Sequence, residues 1–321
     1  MNIVIAGGGP AALESAIAAR KCDASARITL CSAENCLPYR RPALSGLLAA
    51  GKKVDEKTFY IKPADFFTGE NINFMPGCKA VAVKGKNLLL ANNELIAFDR
   101  LILATGSEAF RPPVPGGEYA CVLRSCQDMI QLSGRLDRGV KHAVIIGGGV
   151  LGLEIADSLL SRQIDTAVVE TSPRLFPAKL TESDADALAG RLNALDHFRL
   201  ICGDSAARIT PRSVTLASGE ELPAELVIFA AGSRPDLTLA KTAGIECGRG
   251  VIVNKCMQSS REDIFAAGDT AEFNGRCFNL YMDAVASGKT AGTNAAGCQN
   301  EFTAKLSPVR LFALGEKLVM E

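Results

Sequence analysis

The sequence predicts an α/β protein with two Rossmann-like dinucleotide-binding domains, each completed by a β-meander. Two glycine-rich turns carry this prediction. Residues 147–152 read GGGVLG and residues 7–12 read GGGPAA, each directly after a short apolar run typical of a buried parallel strand. The chain also repeats one plan, because residues 87–107 and 213–233 both alternate as short strands and end in a small-residue glycine turn, LILATGS and LVIFAAGS.

The composition limits the class of protein. At 321 residues and 48% hydrophobic content, the chain is long enough for two domain cores and a fragment of a third. Lys plus Arg and Asp plus Glu number 35 each, so the charge indicates neither nucleic acid nor an anionic membrane as a partner. No apolar segment reaches the length that spans a bilayer, and Met1 leads directly into a strand, so we expect a cytoplasmic protein.

The cysteine and histidine content limits the kinds of site and of catalytic mechanism that the chain can have. The 11 cysteines, without zinc-like C-x-x-C pairs, predict free thiols in a reducing compartment rather than a disulfide framework or a metal site. His142 and His197 are the only histidines, so a mechanism that needs a histidine base has little to use. Hydride transfer, which needs positioning more than proton transfer, is compatible with this content.

The central βαβ unit gives each of its glycines a task. Gly147 allows the tight turn, Gly149 lets the backbone approach a pyrophosphate, and Gly152 lets the helix pack close to the strand. The helix start then offers N–H groups and a positive dipole to the phosphates. Glu170 stands near the offset of about 20 residues at which a carboxylate binds the ribose hydroxyls, which favours NADH over NADPH. Arg174, just beyond it, leaves open the alternative that a 2′-phosphate is accepted.

The N-terminal unit repeats this design. Residues 3–6 predict a strand, GGGPAA supplies the G-x-G-x-x-A turn, and a helix is expected to roughly Ala19. The second strand, residues 27–31, is followed by Ser32 where an acid would normally stand, and the first acid is Glu34. We assign Glu34 to the ribose of a bound adenosine, with Ser32 as the competing interpretation.

The segment 36–51, CLPYRRPALSGLLAAG, carries a family resemblance. It resembles the PYxRPxLS segment of flavoprotein reductases that serve rubredoxin, small ferredoxins and nitrite reductase. The matching residues are Pro38, Tyr39, Arg41, Pro42, Leu44 and Ser45. The resemblance implies that the segment lies along the flavin with Arg41 near the flavin or its phosphates, and a plain helix-entry role is the alternative. Gly46 replaces a lysine common in oxygenase-coupled ferredoxin reductases, which favours the rubredoxin-reductase and nitrite-reductase branch.

Two later stretches resemble the same family. The turn at 104–106, Ala-Thr-Gly, resembles the signature at which the chain crosses toward the nicotinamide domain, and the proline-rich residues 112–117 form the linker. Residues 262–272, EDIFAAGDTAE, resemble the glycine-aspartate motif, whose aspartate, here Asp269, bonds a hydroxyl of the flavin's ribityl chain. These motifs imply that the flavin is FAD.

The C-terminal part completes the resemblance. The stretch 280–297 resembles the helix that starts beneath the flavin pyrimidine, with Tyr281 where an aromatic residue is usual. Residues 305–321 resemble the beginning of the family's interface domain, which implies that Lys317 lies close to the flavin. The expected domains are an FAD domain of residues 1–110 and 236–302, an inserted NAD(P)H domain of residues 111–235, and a truncated or short C-terminal interface domain at 303–321.

The resemblance assigns ligands to each nucleotide. The expected FAD ligands are Gly7, Gly9, Pro10, Ala11, Ala12, Glu34, Arg41, Ala80, Val81, Ala104, Thr105, Gly106, Gly268, Asp269, Tyr281 and Lys317. The expected NADH ligands are Gly147, Gly149, Val150, Leu151, Gly152, Glu154, Glu170 and Gly232. Glu154, just after the second glycine turn, is carried over as the carboxylate near the nicotinamide amide.

The implied activity is FAD-dependent oxidation of NADH, with electrons passed singly to a small iron-containing carrier such as rubredoxin or ferredoxin. A second copy of the chain in a homodimer is the other expected partner. One alternative is thiol chemistry at Cys36, because single-cysteine relatives that reduce disulfides or peroxide carry a thiol near this point. The spacings Cys31 to Cys36 and Cys121 to Cys126 suit a redox disulfide, but neither pair has the right place in the chain. Another alternative is a signalling flavoprotein resembling apoptosis-inducing factor, which binds NADH with little turnover.

Overall fold

The computed structural model describes residues 1–303 and 307–320 and divides the chain into two compact units. The first unit contains residues 1–41, 55–108, 234–303 and 307, and the second contains residues 42–54, 109–233 and 308–320. Two short strands, Ser107–Ala109 and Ser233–Pro235, pair where the chain passes from one unit to the other. Within the described residues, no helix is long and apolar enough to cross a membrane.

The first unit is built on a five-stranded parallel sheet. Its strands, in spatial order, are Ile264–Ala266, Arg100–Leu103, Asn2–Ala6, Arg27–Cys31 and Ile72–Met75. The central strand is almost wholly apolar and buried, as a parallel strand covered on both faces must be. The helices of this unit are Pro10–Cys22, Glu56–Phe59, Ala64–Gly69, Thr238–Ala243 and Tyr281–Ala295.

Two of these helices, Pro10–Cys22 and Tyr281–Ala295, pack with their backbones in close approach. A Cβ atom at Gly288 would lie 2.3 Å from the Ala11 carbonyl oxygen, and one at Gly292 would lie 2.1 Å from the Ser15 carbonyl oxygen. Only glycine fits at these two positions, which explains the small-residue content of the second helix.

A disulfide between Cys22 and Cys298 joins the ends of this helix pair. The expectation that all 11 cysteines are free thiols is therefore wrong for these two. The two residues are 276 positions apart, so the spacing of cysteines in the sequence gives no signal for the bond. Packing of the first helix on the last brings them together.

Two small antiparallel sheets complete the first unit. The strands of its predicted meander are Ala80–Lys84, Asn87–Leu90 and Leu95–Ala97. A second small sheet contains Val251–Ile252, Ala271–Phe273 and Arg276–Cys277, with a parallel first pair and an antiparallel second pair. The core joins these elements to the parallel sheet in one cluster of buried side chains.

The second unit repeats the plan. Its parallel sheet contains, in spatial order, Phe198–Cys202, Asp165–Glu170, His142–Ile146, Leu226–Phe229 and Cys121–Val122. Its helices are Cys126–Leu136, Val150–Leu160 and Glu182–Asn193, and its meander is Ala206–Ile209, Ser213–Leu216 and Glu221–Pro223. Two parallel sheets, each followed by a meander, confirm the predicted α/β class with paired Rossmann-like units.

Two segments lie in the second unit rather than where the sequence placed them. Residues 42–54, expected in the first domain, belong to the second unit, and so does the C-terminal hairpin of Val309–Ala313 and Glu316–Met320. The hairpin packs on the helix Val150–Leu160, where the Leu314 N–H donates to Asp157 Oδ1 at 2.9 Å. These are contacts between distant parts of the chain, which local patterns do not encode.

Candidate functional site

The glycine turn of the second unit leaves an open space at one of its three positions. Gly147 has φ +119°, and a Cβ there would lie 2.4 Å from the Ala230 carbonyl oxygen. A Cβ at Gly152 would lie 2.0 Å from the Gly147 carbonyl oxygen. The roles predicted for these two glycines, in the turn and in helix–strand packing, are confirmed. At Gly149, by contrast, no protein atom lies within 4 Å of such a Cβ, so a ligand could approach the backbone there.

The helix starts separate into two groups. Among the described helices of eight or more residues, Pro10–Cys22, Val150–Leu160 and Tyr281–Ala295 begin without a side-chain cap. The other two are capped by Ser125 and Thr181. The first N–H groups of a helix lack intrahelical partners, so an uncapped start beside an open glycine is suited to bind an anion. The three uncapped helices are those that the sequence assigned to the nucleotides.

Glu170 is held in place beside the second glycine turn. One carboxylate oxygen accepts the Gly148 N–H at 2.8 Å, and the other accepts the Ser172 N–H at 2.8 Å. The Arg174 guanidinium lies 3.7 Å from Glu182, and its Nε is buried without a hydrogen-bond partner in the described chain. The N–H groups of Gly148 and Ser172 therefore hold the Glu170 carboxylate in position at the end of its strand, as a ribose-binding acid requires.

The first glycine turn has the same backbone arrangement. Gly7 has φ +146°, and a Cβ there would lie 2.1 Å from the Ala104 carbonyl oxygen. No protein atom lies within 4 Å of a Cβ built at Gly9. The turn thus repeats the combination of a tightly packed first glycine and an open third glycine.

The serine at the end of the second strand occupies the place that Glu170 has in the other unit. Ala6 pairs with Cys31 just as Ile146 pairs with Val169, so Ser32 is the next residue in register. A Cβ at Gly8 would lie 2.1 Å from Ser32 Oγ, which leaves no room for a longer side chain in that direction. Ser32 is buried and donates to the Glu34 carbonyl oxygen at 2.9 Å.

The Glu34 carboxylate is held by the segment that carries the family resemblance. The Tyr39 hydroxyl donates to Glu34 Oε2 at 2.8 Å, and the Arg41 guanidinium lies 3.3 Å from Oε1. The Tyr39 ring stacks on Phe59, with centroids 4.9 Å apart, and burial raises the pKa of its phenol, against the effect of the Arg41 charge. Tyr39 therefore remains a protonated donor that fixes the orientation of Glu34.

Replacing Tyr39 by Phe is expected to weaken FAD binding about fivefold. The variant keeps the stacking on Phe59 but removes the hydroxyl that orients Glu34, and a hydrogen bond of this kind contributes about 1 kcal/mol. The measurement is titration of the flavin-free protein with FAD, followed by flavin fluorescence. Tyr119→Phe, at an exposed tyrosine of the second unit, is the control. Equal FAD affinity in both variants would contradict the predicted role of Glu34 in binding the adenosine ribose of FAD.

Asp269 follows directly after the strand Ile264–Ala266. The Ser107 hydroxyl donates to Asp269 Oδ2 at 2.9 Å, and the N–H of Gly268 donates to Ser287 at 3.0 Å. A Cβ at Gly268, where φ is +70°, would lie 2.9 Å from the Ala11 side chain. The aspartate is thus fixed next to the helix that follows the first glycine turn. Ser107 was not among the expected site residues, although its place directly after the Ala-Thr-Gly turn is a signal in the sequence.

The hydroxyl of Thr105, an expected FAD ligand, bonds within the protein. It lies 3.2 Å from the Asp236 carbonyl oxygen, and the Gly106 carbonyl oxygen accepts the Asp236 N–H at 3.0 Å. These bonds give the Ala-Thr-Gly turn a structural role, because they attach it to Asp236, where the chain has returned to the first unit. A direct contact between this turn and a flavin remains a prediction.

Other expected ligands lie in separate elements of the chain. Ala80 and Val81 are half-buried in the first meander strand, and burial raises the pKa of the Tyr281 phenol at its helix start. Lys317 is exposed and pairs across the C-terminal hairpin with Phe312, in the second unit. At Gly232, where φ is +94°, a Cβ would meet no atom within 4 Å.

The two cysteines of the first C-x-x-x-x-C spacing differ in environment. Burial raises the pKa of the Cys31 thiol to about 12, which keeps it protonated and unreactive. Cys36 is half-buried. A redox pair formed by these two residues is not supported, because Cys31 lies inside the parallel sheet.

Glu154 lies on the first turns of the helix that follows the second glycine turn. Its Oε2 accepts a hydrogen bond from the Ser45 hydroxyl at 2.8 Å. Burial raises the pKa of the Glu154 carboxyl, and the nearby charge of Asp157 acts in the same direction, whereas the bond from Ser45 opposes them. The group is a half-buried carboxylate close to the uncapped helix start.

The two histidines lie away from the glycine turn of their own unit. His197 Nδ1 is 2.6 Å and His142 Nε2 is 3.5 Å from the carboxylate of Asp165. His142 and Asp165 begin strands whose other ends lead to the glycine turn and Glu170. The histidines therefore cluster at the opposite edge of the second sheet. Among the residues that the structure describes, no group of three or more metal-ligating side chains could hold a metal ion.

Comparisons with known proteins agree with this geometry. The family model described as pyridine nucleotide-disulphide oxidoreductase matches residues 1–291. The rubredoxin-NAD(+) reductase of Pseudomonas putida is 33% identical over 279 residues, which cover 84% of this chain and 72% of that protein. The NADH-rubredoxin oxidoreductase of Clostridium acetobutylicum is 32% identical over 299 residues, or 92% of this chain and 75% of that protein.

Solved structures give the same result. The crystal structure of the NADH:rubredoxin oxidoreductase of Clostridium acetobutylicum superposes with a TM-score of 0.85 at 29% identity, covering 99% of this chain and 81% of that one. A ferredoxin reductase from Rhodopseudomonas palustris superposes with a TM-score of 0.86 at 28% identity, covering 94% and 78%. The chain therefore belongs to the pyridine nucleotide-disulphide oxidoreductase family, whose members of this kind are NAD(P)H-dependent flavoprotein enzymes.

Proposed function

We propose that this protein is an FAD-dependent NADH oxidoreductase that passes electrons to a small iron-containing carrier such as rubredoxin or ferredoxin. One observation carries the proposal: both units present an uncapped helix start behind an open glycine, at Gly9 and at Gly149. Two dinucleotide sites in one chain suit an enzyme that moves electrons from one nucleotide to another. The names of two relatives, rubredoxin-NAD(+) reductase and NADH-rubredoxin oxidoreductase, support this direction of electron flow.

The first unit fits FAD. The helix start behind Gly9 would take the pyrophosphate, Glu34 would bind the adenosine ribose, and Asp269 would accept a bond from a ribityl hydroxyl. The close approach of Gly268 to Ala11 supports this assignment, because the aspartate then lies beside the helix Pro10–Cys22, which would bind the phosphates. When bound, FAD supplies the chemistry of accepting a hydride and releasing electrons one at a time.

The second unit fits NADH. The open backbone at Gly149 would take the pyrophosphate, and Glu170, already fixed by two N–H groups, would bind the ribose hydroxyls. A carboxylate at that point repels a 2′-phosphate, so NADH is favoured over NADPH. Glu154 would stand near the nicotinamide amide. Hydride transfer requires no acid or base from the protein, so the histidines at the other sheet edge take no part.

The proposal includes the domain roles, the partner and the location. The first unit would form the FAD domain, and the second unit, which includes residues 42–54 and the C-terminal hairpin, would form the NADH domain. The electron acceptor would be a small redox protein, and we extend the proposal to a homodimer in the cytoplasm.

Anaerobic addition of NADH to the flavin-loaded protein is expected to bleach the flavin absorbance between about 350 and 500 nm, and NADPH to do so much more slowly. In Glu170→Gln, which removes the charge but keeps the shape, we expect the preference for NADH to fall about tenfold, because repulsion of the 2′-phosphate is lost. Rates of bleaching with each nucleotide measure the preference.

If neither NADH nor NADPH bleaches the absorbance of the flavin-loaded protein, the reductase proposal is contradicted, and a binding or signalling flavoprotein is favoured. Addition of oxidised rubredoxin to the bleached protein is expected to restore the absorbance. Loss of acceptor turnover in Cys36→Ser, with flavin reduction intact, would instead favour thiol chemistry.

A further inference from the structure

The segment 42–54 is attached to one face of the helix Val150–Leu160. The Ser45 hydroxyl donates to Glu154 Oε2 at 2.8 Å, and the Ser158 hydroxyl donates to the Ser45 carbonyl oxygen at 2.8 Å. Beyond the last residue of the helix, Ser161 Oγ accepts the N–H of residue 50 at 3.2 Å. The three helix-side residues are spaced i, i+4 and i+7, so they form one stripe along the helix.

Apolar contacts fix the segment between these bonds. Leu44 and Leu48 are buried on either side of Ser45, which is itself only 4% exposed. A short helical turn, Gly46–Leu48, separates Ser45 from the second attachment. Ser45 therefore has one backbone position and a hydroxyl that is directed at the Glu154 carboxylate.

The PYxRPxLS segment thus contacts two carboxylates, one in each unit. Its first half, through Tyr39 and Arg41, holds Glu34. Its second half, through Ser45, holds Glu154. We propose that Ser45 is a positioning residue of the NADH site, which orients the Glu154 carboxylate and stabilises its ionised form. This inference rests on the proposed function, in which Glu154 stands near the nicotinamide amide.

The hydroxyl matters because the surroundings of Glu154 otherwise disfavour its charge. Burial raises the pKa of this carboxyl, and the charge of Asp157, one turn along the same helix, raises it further. Asp157 is itself held by the Leu314 N–H of the C-terminal hairpin. Donation from Ser45 acts in the opposite direction and, unlike a mobile surface cation, comes from a buried side chain.

Ser45→Ala is expected to move the acid limb of the pH profile upward by about one pH unit, a roughly tenfold change in the proton dissociation constant of Glu154. The profile is measured as the rate of flavin bleaching by NADH, and the dissociation constant of NAD+ is measured at each pH alongside it. Ser45→Thr keeps the hydroxyl and should restore the parent profile. Ser161→Ala removes an attachment of the same segment without touching Glu154, so its profile should match the parent.

Unfolding of the flavin-loaded protein gives a readout that does not require NADH. Because the folded pKa of Glu154 lies above its unfolded value of 4.5, the unfolded state loses this proton first as the pH rises. Folding stability due to this group is therefore greatest at low pH and falls as the pH rises through the folded pKa. In Ser45→Ala this fall should be larger and extend about one pH unit higher.

The two arms separate the possible outcomes. A shifted profile and a larger fall of stability in Ser45→Ala, both restored by Ser45→Thr, support the positioning role. Superimposable pH profiles of bleaching and of unfolding in Ser45→Ala and the parent overturn it. If NADH does not bleach the parent protein at any pH, the proposed function fails, and the unfolding arm still decides whether Ser45 stabilises the ionised Glu154.

Discussion

Alanine at Gly149 is expected to weaken NADH binding about 10- to 100-fold while leaving the stability of the protein nearly unchanged. A Cβ at this position meets no protein atom within 4 Å, and φ of −73° suits any residue. The methyl group would instead occupy the space through which a pyrophosphate reaches the helix N–H groups. Loss of one charge-assisted hydrogen bond, about 1.5 to 3 kcal/mol, accounts for the effect.

The same substitution three residues later should have the opposite consequence. A Cβ at Gly152 would lie 2.0 Å from the Gly147 carbonyl oxygen, so the helix must move away from the strand and its turn. Overpacking of this kind costs about 1 to 3 kcal/mol of folding stability. Gly152→Ala should therefore lower the melting temperature of the protein by several degrees.

This pair of variants is measured by NADH titration and by thermal unfolding of the same preparations. Gly9→Ala, at the open position of the first turn, is the control for the unit, since it should impair FAD binding but not NADH binding. If Gly149→Ala unfolded at a much lower temperature, or bound NADH as the parent does, the open space would not be a nucleotide site.

Asp269→Ala is expected to yield a protein that loses most of its flavin during purification. The carboxylate is the strongest polar anchor predicted for the ribityl chain, and a hydrogen bond to a charged group contributes about 1.5 to 3 kcal/mol, which corresponds to a 10- to 150-fold weaker affinity. The ratio of flavin to protein absorbance, and titration of flavin-free protein with FAD, measure the effect.

Ser107→Ala provides the matched comparison for Asp269. It removes the hydroxyl that donates to Asp269 Oδ2 at 2.9 Å but keeps the carboxylate, so a loss of FAD affinity of only a few-fold is expected. Full retention of flavin by Asp269→Ala would show that the glycine-aspartate motif acts in packing alone, through Gly268 and its contact with Ala11.

Local features of the site could be predicted from the sequence because each depends on neighbouring residues. The strand predicted at residues 27–31 is observed as Arg27–Cys31, and the helix expected at about 182–195 is observed as Glu182–Asn193. Gly147 and Gly152 have the steric roles that the G-x-G-x-x-G spacing predicts. A strand, a glycine turn and a helix start are set by conformational preference within about 30 residues.

The partners of the site residues depended on the tertiary structure. Spacing could not separate Glu34 from Ser32 as the candidate ribose ligand, and only the tertiary structure shows that Tyr39 contacts Glu34 whereas Ser32 lies against Gly8. The bond between Ser45 and Glu154 spans 109 positions and the Cys22–Cys298 disulfide spans 276. Sequence alone therefore determined the fold class and the two glycine turns, whereas the contacts that orient the carboxylates were decided by long-range packing, for which a single sequence carries no periodic or spacing signal.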